Sequence, residues 1–289
     1  MIDFTTVTAC GECCLGCSKK ESGACPGCIE AKGKVPEWAE SGICRIYACC
    51  MEHNTRFCFL CGKFPCENLP KMIFWNPDIV NHLSELRKKY KSQIVEKMRR
   101  EIITRSARFE EQTKGTKDEY NIYREHVQYV HKYVVMLSKD KNVDGEVLEL
   151  AALLHDISMT DMSLDRSRHN EFGAEIADRL LTENHYPEEK TQLVKKCILN
   201  HSKRRQEYRS TEEEQILVDA DGLSYFDAIK SMYSLPSKVM GLSEEDSVRF
   251  VQHKMTGDYE ELSDDLKPLV KEKYDRLIAA KCAKDITGE

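Results

Sequence analysis

The chain has 289 residues, 41% hydrophobic and 32% charged, with a formal net charge of −6. That length suits about two domains at roughly 150 residues each, with enough apolar residues for real cores. The acidic balance argues against a generally nucleic-acid-binding protein. No apolar run reaches the roughly 18–20 residues that cross a bilayer. The N-terminus, MIDFTTVTACGECC, lacks the basic and apolar stretches of an export signal, so a cytoplasmic chain is expected.

Residues 1–67 form the first expected domain. Of 14 cysteines, 12 lie between Cys10 and Cys66. In a reducing compartment such clustering signals metal rather than disulfides. The pairs Cys10-x2-Cys13, Cys14-x2-Cys17, Cys25-x2-Cys28 and Cys58-x2-Cys61 have metal-knuckle spacing. Cys44, Cys49 and Cys66 add further thiols. The candidate ligands are therefore Cys10, Cys13, Cys17, Cys25, Cys28, Cys44, Cys49, Cys58, Cys61 and Cys66. Cys14 and Cys50 directly adjoin other cysteines and suit a shared small site less well. The order departs from the bacterial ferredoxin run, which favours zinc over iron–sulfur. Only brief helices, near 36–41 and 44–53, are expected. So little apolar periodicity implies a segment without its own core, held together by metal.

Residues 68–117 read as a helical connector. Leu83, Leu86, Tyr90, Ile94 and Met98 recur at helical spacing. Between 85 and 108, nine Lys/Arg face three Glu, a local net charge of +6. The expectation is an amphipathic linker helix with a solvated basic face; the sharper alternative is an RNA or acidic-partner contact. Lys114-Gly115-Thr116-Lys117 marks a break.

Residues 118–289 carry helical periodicity throughout, which predicts an all-α bundle. The stripes are Val127/Val130/Val134/Leu137, Val147/Leu148/Ala151/Leu154, Phe172/Ile176/Leu180, Leu193/Val194/Cys197/Ile198 and Ile216/Leu217/Phe226/Ile229. Val248 and Val251, then Leu269, Tyr274 and Leu277, complete the pattern. Cys197 reads as a buried small apolar residue. Polar residues interrupt the stripes at core-facing positions. His126 precedes Val130 by four, His155 follows Ala151 by four, His201 follows Ile198 by three and Asp221 follows Leu217 by four. A buried imidazole or carboxylate needs a partner, and metal is one.

Arg124-x-His126, LLHDIS with His155-Asp156, His169-x3-Gly173-Ala174, Asn200-His201 and DADGLSYFD with Asp221 resemble the HD-domain metal-dependent phosphohydrolase superfamily over about 120–230. The fold implied is an all-α HD-type helical bundle. The resemblance implies one metal held by His126, His155, Asp156 and Asp221, with Asp156 bridging to a second held by His169 and His201. Asp219 is the alternative to Asp221 in the DAD string. Gly222 stands where many relatives carry Arg. Such ligands suit Mn, Fe, Ni, Co or Zn. The implied reaction is hydrolysis of a phosphomonoester or phosphodiester, a nucleotide first among them, through metal-activated hydroxide. Asp156, with Lys203 and Arg168 as phosphate contacts, would serve catalysis. Two other readings use the same residues: a di-iron oxygenase, and a non-catalytic sensor whose Cys-rich module binds RNA or a partner. The strings ACGECCLGC, CPGC and FCFLCGKFPCENL resemble a small Cys-rich family of unknown function over roughly 5–70, which implies a zinc module and no reaction.

Overall fold

A computed structural model describes residues 2–36, 39–74, 76–202 and 209–288. Among these residues there are thirteen α-helices and no strand; Val7 and Cys13 form one isolated antiparallel bridge. The fold is all-α, as the periodicity predicts. No described helix is long and apolar enough to cross a membrane. The chain divides into two compact units, Met1–Glu96 with Leu181–Lys190, and Lys97–Leu180 with Thr191–Glu289.

The first unit contains α1 (Ser18–Glu21), α2 (Arg45–Glu52), α3 (Leu69–Met72) and the first part of α4 (Ile79–Thr113). The expected stretch at 36–41 falls partly outside the described residues. The unit has an apolar core, which residues 1–67 build only together with α3 and α4. Phe57 and Phe59 stack at 4.9 Å, and Phe4 meets Tyr90 edge-on at 5.1 Å. Leu69, Ile73, Ile79 and Leu83 are among its fully buried side chains. The core was hidden because Phe4, Phe57 and Phe59 are scattered without period among cysteines, while α3 and α4 supply the rest. Gly11, at φ +86°, lets the cysteine loop press on α4: a Cβ there would lie 2.3 Å from Leu83 Cδ2.

α4 buries Leu83, Leu86, Tyr90, Ile94, Met98 and Ile102 along one stripe. Much of its basic face is partnered. Arg105 pairs with Glu101 at 2.7 Å, Lys88 with Glu85 at 2.8 Å, and Arg87 donates to the Phe64 carbonyl.

The second unit is built around helices that bury nearly all of their faces. These are α6 (Gly145–Leu154) and α9 (Glu212–Asp227). In α6, Leu150 through Leu154 are all fully buried, as a core helix requires. Its N-terminus is capped by Asp144, and that of α9 by a Thr211–Glu214 capping box. α5 (Gln128–Ser138), entered through a π-turn at Tyr123–Val127, packs on both. α7 (His169–Glu183) and α8 (Glu188–Asn200) follow α6 in the chain. After α9 come α10 (Ile229–Ser234), α11 (Glu244–Glu261), α12 (Lys267–Ala279) and α13 (Ala283–Thr287); α11 and α12 pack on α9.

Two stripes are rotated from their expected positions. On α7, Ala174 and Ala177 are buried in place of Phe172 and Ile176, which are half-buried. The cause is close approach: a Cβ on Gly173 would lie 2.7 Å from the His155 carbonyl oxygen. That approach excludes a side chain at Gly173 itself, and further along the same helix the large Leu181 is fully buried. On α12, Val270 is buried and Leu269 is 59% exposed, while Tyr274 stacks on Tyr259 at 4.0 Å.

Candidate metal centre

Six side chains from different parts of the helical unit converge. His126 stands in the π-turn before α5, and His155 and Asp156 follow the last residue of α6. His169 opens α7, His201 follows α8, and Asp221 lies in α9. His155 is fully buried, with His126 and His201 nearly so.

The carboxylate of Asp156 sits between two histidine pairs. Its Oδ2 lies 3.6 Å from His126 Nε2 and 3.5 Å from His155 Nε2. Its Oδ1 lies 3.8 Å from His169 Nε2 and 3.7 Å from His201 Nε2. Asp221 Oδ1 joins the first pair, 3.0 Å from His126 Nε2 and 3.9 Å from His155 Nε2. The two triads His126/His155/Asp156 and Asp156/His169/His201 each gather their ligand atoms within 4.8 Å.

The protonation pattern follows from the partners behind each ring. His155 Nδ1 lies 2.8 Å from the Ala152 carbonyl, His169 Nδ1 3.0 Å from that of Arg166, and His201 Nδ1 2.6 Å from that of Ile198. A carbonyl only accepts, so each Nδ1 is the donor and each neutral ring turns a lone pair at Nε2 inward. His126 Nδ1 lies 3.1 Å from Ser224 Oγ, whose own proton goes to the Asp221 carbonyl at 2.7 Å. His126 is thereby held in the same tautomer. Facing Nε2 atoms then lie 3.1 Å apart for His126–His155 and 3.3 Å for His169–His201. Two lone pairs at that distance repel unless a cation lies with them. Asp156 Oδ1 and Asp221 Oδ1 are also buried without a hydrogen-bond partner. Inward lone pairs and orphaned carboxylate oxygens fit a pair of divalent cations.

The electrostatics agree. Burial pushes the His155 imidazole down to about 4, so it stays neutral. Burial would raise both carboxyls, but surrounding imidazoles outweigh it, chiefly His155 for Asp156 and His126 for Asp221. Both are held below their ordinary range. Burial opposes protonation of His201, yet the adjacent Asp156 raises its pKa. A proton there occupies the place a metal would take.

The DAD string resolves geometrically. Asp219 points away and accepts from Ser263 N at 2.8 Å and Ser263 Oγ at 2.7 Å. Gly222 packs near Leu262, 3.2 Å from where a Cβ would be, which is little room for a longer side chain. Arg168 lies at the surface, paired with Glu171 at 2.5 Å and stacked over Phe172. Lys203 falls outside the described residues.

Several residues escaped the sequence reading. Tyr225 stacks on His126 at 4.9 Å, and its hydroxyl donates to Asp221 Oδ2 at 3.4 Å. Burial raises its pKa, keeping it a donor. Ser224 and Tyr225 follow Asp221 by three and four, one helix face, so the DADGLSYFD string did contain their signal. Lys254 of α11 lies 3.9 Å from the Tyr225 ring centroid. Buried Glu214 binds Asn200, adjacent to His201, and accepts from the backbone of Ser210 and Thr211 at 3.0 Å each. Asn200 was marked by the Asn200-His201 string, whereas nothing in the sequence separates Lys254 or Glu214 from their many polar neighbours.

The cysteines form two neighbourhoods in the first unit, neither as tight as the two histidine triads, whose ligand atoms lie within 4.8 Å of one another. Cys28 is pushed up to about 12 by burial and by nearby Cys44 and Cys10. Cys49 is raised by burial and by Cys58, Cys61 and Cys66. Those four line a cavity of about 110 Å3 together with Cys50 and His53. Cys50 is buried, with its sulfur 3.9 Å from the Ala9 carbonyl, and its proximity lowers the pKa of the Cys58 thiol. Cys13 is exposed; Cys17 caps α1, and Cys25 is half-buried.

Residues 123–225 match the family model for the HD domain. That stretch is an HD domain, and it contains all six converging residues. No curated protein and no solved structure matches the chain.

Proposed function

We propose that the HD domain is a metal-dependent phosphohydrolase acting on a phosphomonoester or phosphodiester, with nucleotides the first class to assay. One observation carries the reading: four imidazoles, each fixed at Nδ1, turn Nε2 toward a carboxylate whose two oxygens face separate pairs. His126, His155, Asp156 and Asp221 would hold one ion, and Asp156, His169 and His201 a second. A divalent ion bound there supplies a Lewis acid and hydroxide near neutral pH. The chain's own residues orient the ligands through Ser224 and three backbone carbonyls. Arg166, Arg209 and Lys254 line cavities beside the cluster and suit the oxygens of a phosphoryl group. Asp156 is the catalytic centre of the scheme, because all four histidines meet it. The test is hydrolysis of generic phosphoesters and nucleotides by the full chain with Mn, Fe, Co or Ni. Activity should vanish in His155→Ala and Asp156→Ala; full activity in both overturns the reading.

The Cys-rich unit is proposed to hold zinc. Support comes from the grouping of Cys49, Cys58, Cys61 and Cys66 around one cavity and of Cys10, Cys28 and Cys44 in another neighbourhood. Cys13, Cys17 and Cys25 are the remaining candidates. Elemental analysis of the full chain should find zinc that survives removal of the HD-site metal. Acid-labile sulfide would overturn the zinc assignment.

A further inference from the structure

Two cavities of about 210 Å3 each adjoin the metal cluster, and their chemistry differs. One is polar, lined by His169, His201 and Asp221 and by the acids Asp258 and Glu261. The other opens on His126 and Asp156 and is walled by Phe109, Ile122, Met159, Met232, Leu235 and Val239. Ile122, Phe109 and Met232 are buried, so these walls are parts of the core. Arg166, set over the Phe109 ring at 6.0 Å, and Lys117 and Lys238 bring positive charge to the same cavity. Lys254 lines both cavities. Tyr120, Ser234, Asp118 and Glu119 also line this cavity, and the Ser231 hydroxyl there donates to Glu125. Against the six apolar side chains an organic group gains by leaving water in proportion to the apolar area it covers.

We infer that this cavity receives the organic group of the substrate and that the group is apolar. The ligand class is a phosphoester of an aryl or alkyl alcohol, with its phosphoryl group at the His126–Asp156 end beside Lys254. This deepens the phosphohydrolase reading and rests on it for the phosphoryl group alone. Non-hydrolysable phosphonates separate the two ideas, since binding requires no turnover. Calorimetry on the Mn-loaded full chain should show 1-naphthylphosphonate binding about tenfold or more tightly than methylphosphonate. Leu235→Glu, at a part-exposed wall, and Met232→Glu, at a buried one, should bring the naphthyl-to-methyl ratio toward one. Equal affinity for the two phosphonates, or a ratio unchanged in both variants, overturns the inference. Tight naphthylphosphonate binding without hydrolysis of any phosphoester keeps the cavity assignment and removes the phosphohydrolase. Metal-dependent hydrolysis without size preference does the reverse.

Discussion

The two units arrange their candidate metal ligands in opposite ways. In the HD unit the ligands interrupt core stripes, and His126, His155 and His201 are buried among the apolar side chains that fix them. Each imidazole has a second partner behind it. In the Cys-rich unit the thiols stand on turns and short helices beside an aromatic core they did not build, and only Cys44, Cys50 and Cys58 of that cluster are buried. The first arrangement makes orientation a property of the fold before metal arrives. The second leaves orientation to the metal. Catalysis needs the first kind, because a reacting group must be held before the reaction.

The largest effect expected from this contrast is at Asp156. Asp156→Ala removes the carboxylate shared by both histidine pairs. Phosphoester hydrolysis should fall about a thousandfold or more, metal should leave the HD unit, and zinc in the Cys-rich unit should stay. Loss of zinc as well would show that the two units are not independent metal sites. Next is Phe59→Ala, which empties the aromatic core of the first unit. A cost of about 3–5 kcal/mol is expected in denaturant unfolding with metal retained. A cost near zero would mean that metal alone holds this unit.

What could be read from the sequence follows the same division. The α5 and α6 stripes and the six converging side chains were legible, since helical period and the His…His-Asp…Asp order are carried by residue type. The partners of three histidines were not, because Ala152, Arg166 and Ile198 contribute carbonyls that any residue possesses. On α7, packing against the His155 backbone excludes a side chain at Gly173, and hydrophobicity pointed to the wrong face. The first unit's core was illegible because Phe4, Phe57 and Phe59 have no period, and α4 completes it from a distant part of the sequence.

Ser224→Ala tests whether preorientation matters to the HD unit. His126 would lose its Nδ1 partner while all six ligands remain. Metal affinity and activity should drop about 10–100-fold. An unchanged affinity would mean that stacking on Tyr225 suffices. A smaller effect is expected from acid at Glu214. Burial would raise this carboxyl, but hydrogen bonds from Asn200, Ser210 and Thr211 hold it below the ordinary 4.5. Its contribution to stability is therefore full above that value and is lost as pH falls through the folded-state pKa. Glu214→Gln should remove that portion of the acid sensitivity and lower stability at neutral pH by about 1–3 kcal/mol. Unfolding curves between pH 7 and pH 3 measure both.

The smallest effect is expected at Arg168, whose neighbourhood resembles the loose surface of the Cys-rich loops more than the centre next to it in sequence. Its side chain is 53% exposed, paired with Glu171 three residues on and laid over Phe172. An exposed pair of this kind is screened by water and contributes little. Arg168→Ala should leave kcat/KM within about threefold of the parent and the salt dependence of KM nearly flat. Lys254→Ala should lower kcat/KM about tenfold or more, because Lys254 lines both cavities and rests on the ring that stacks against His126. If Arg168→Ala instead costs more than Lys254→Ala, the phosphoryl group approaches from the α7 side. The assignment of the apolar cavity to the substrate's organic group would then have to be reversed.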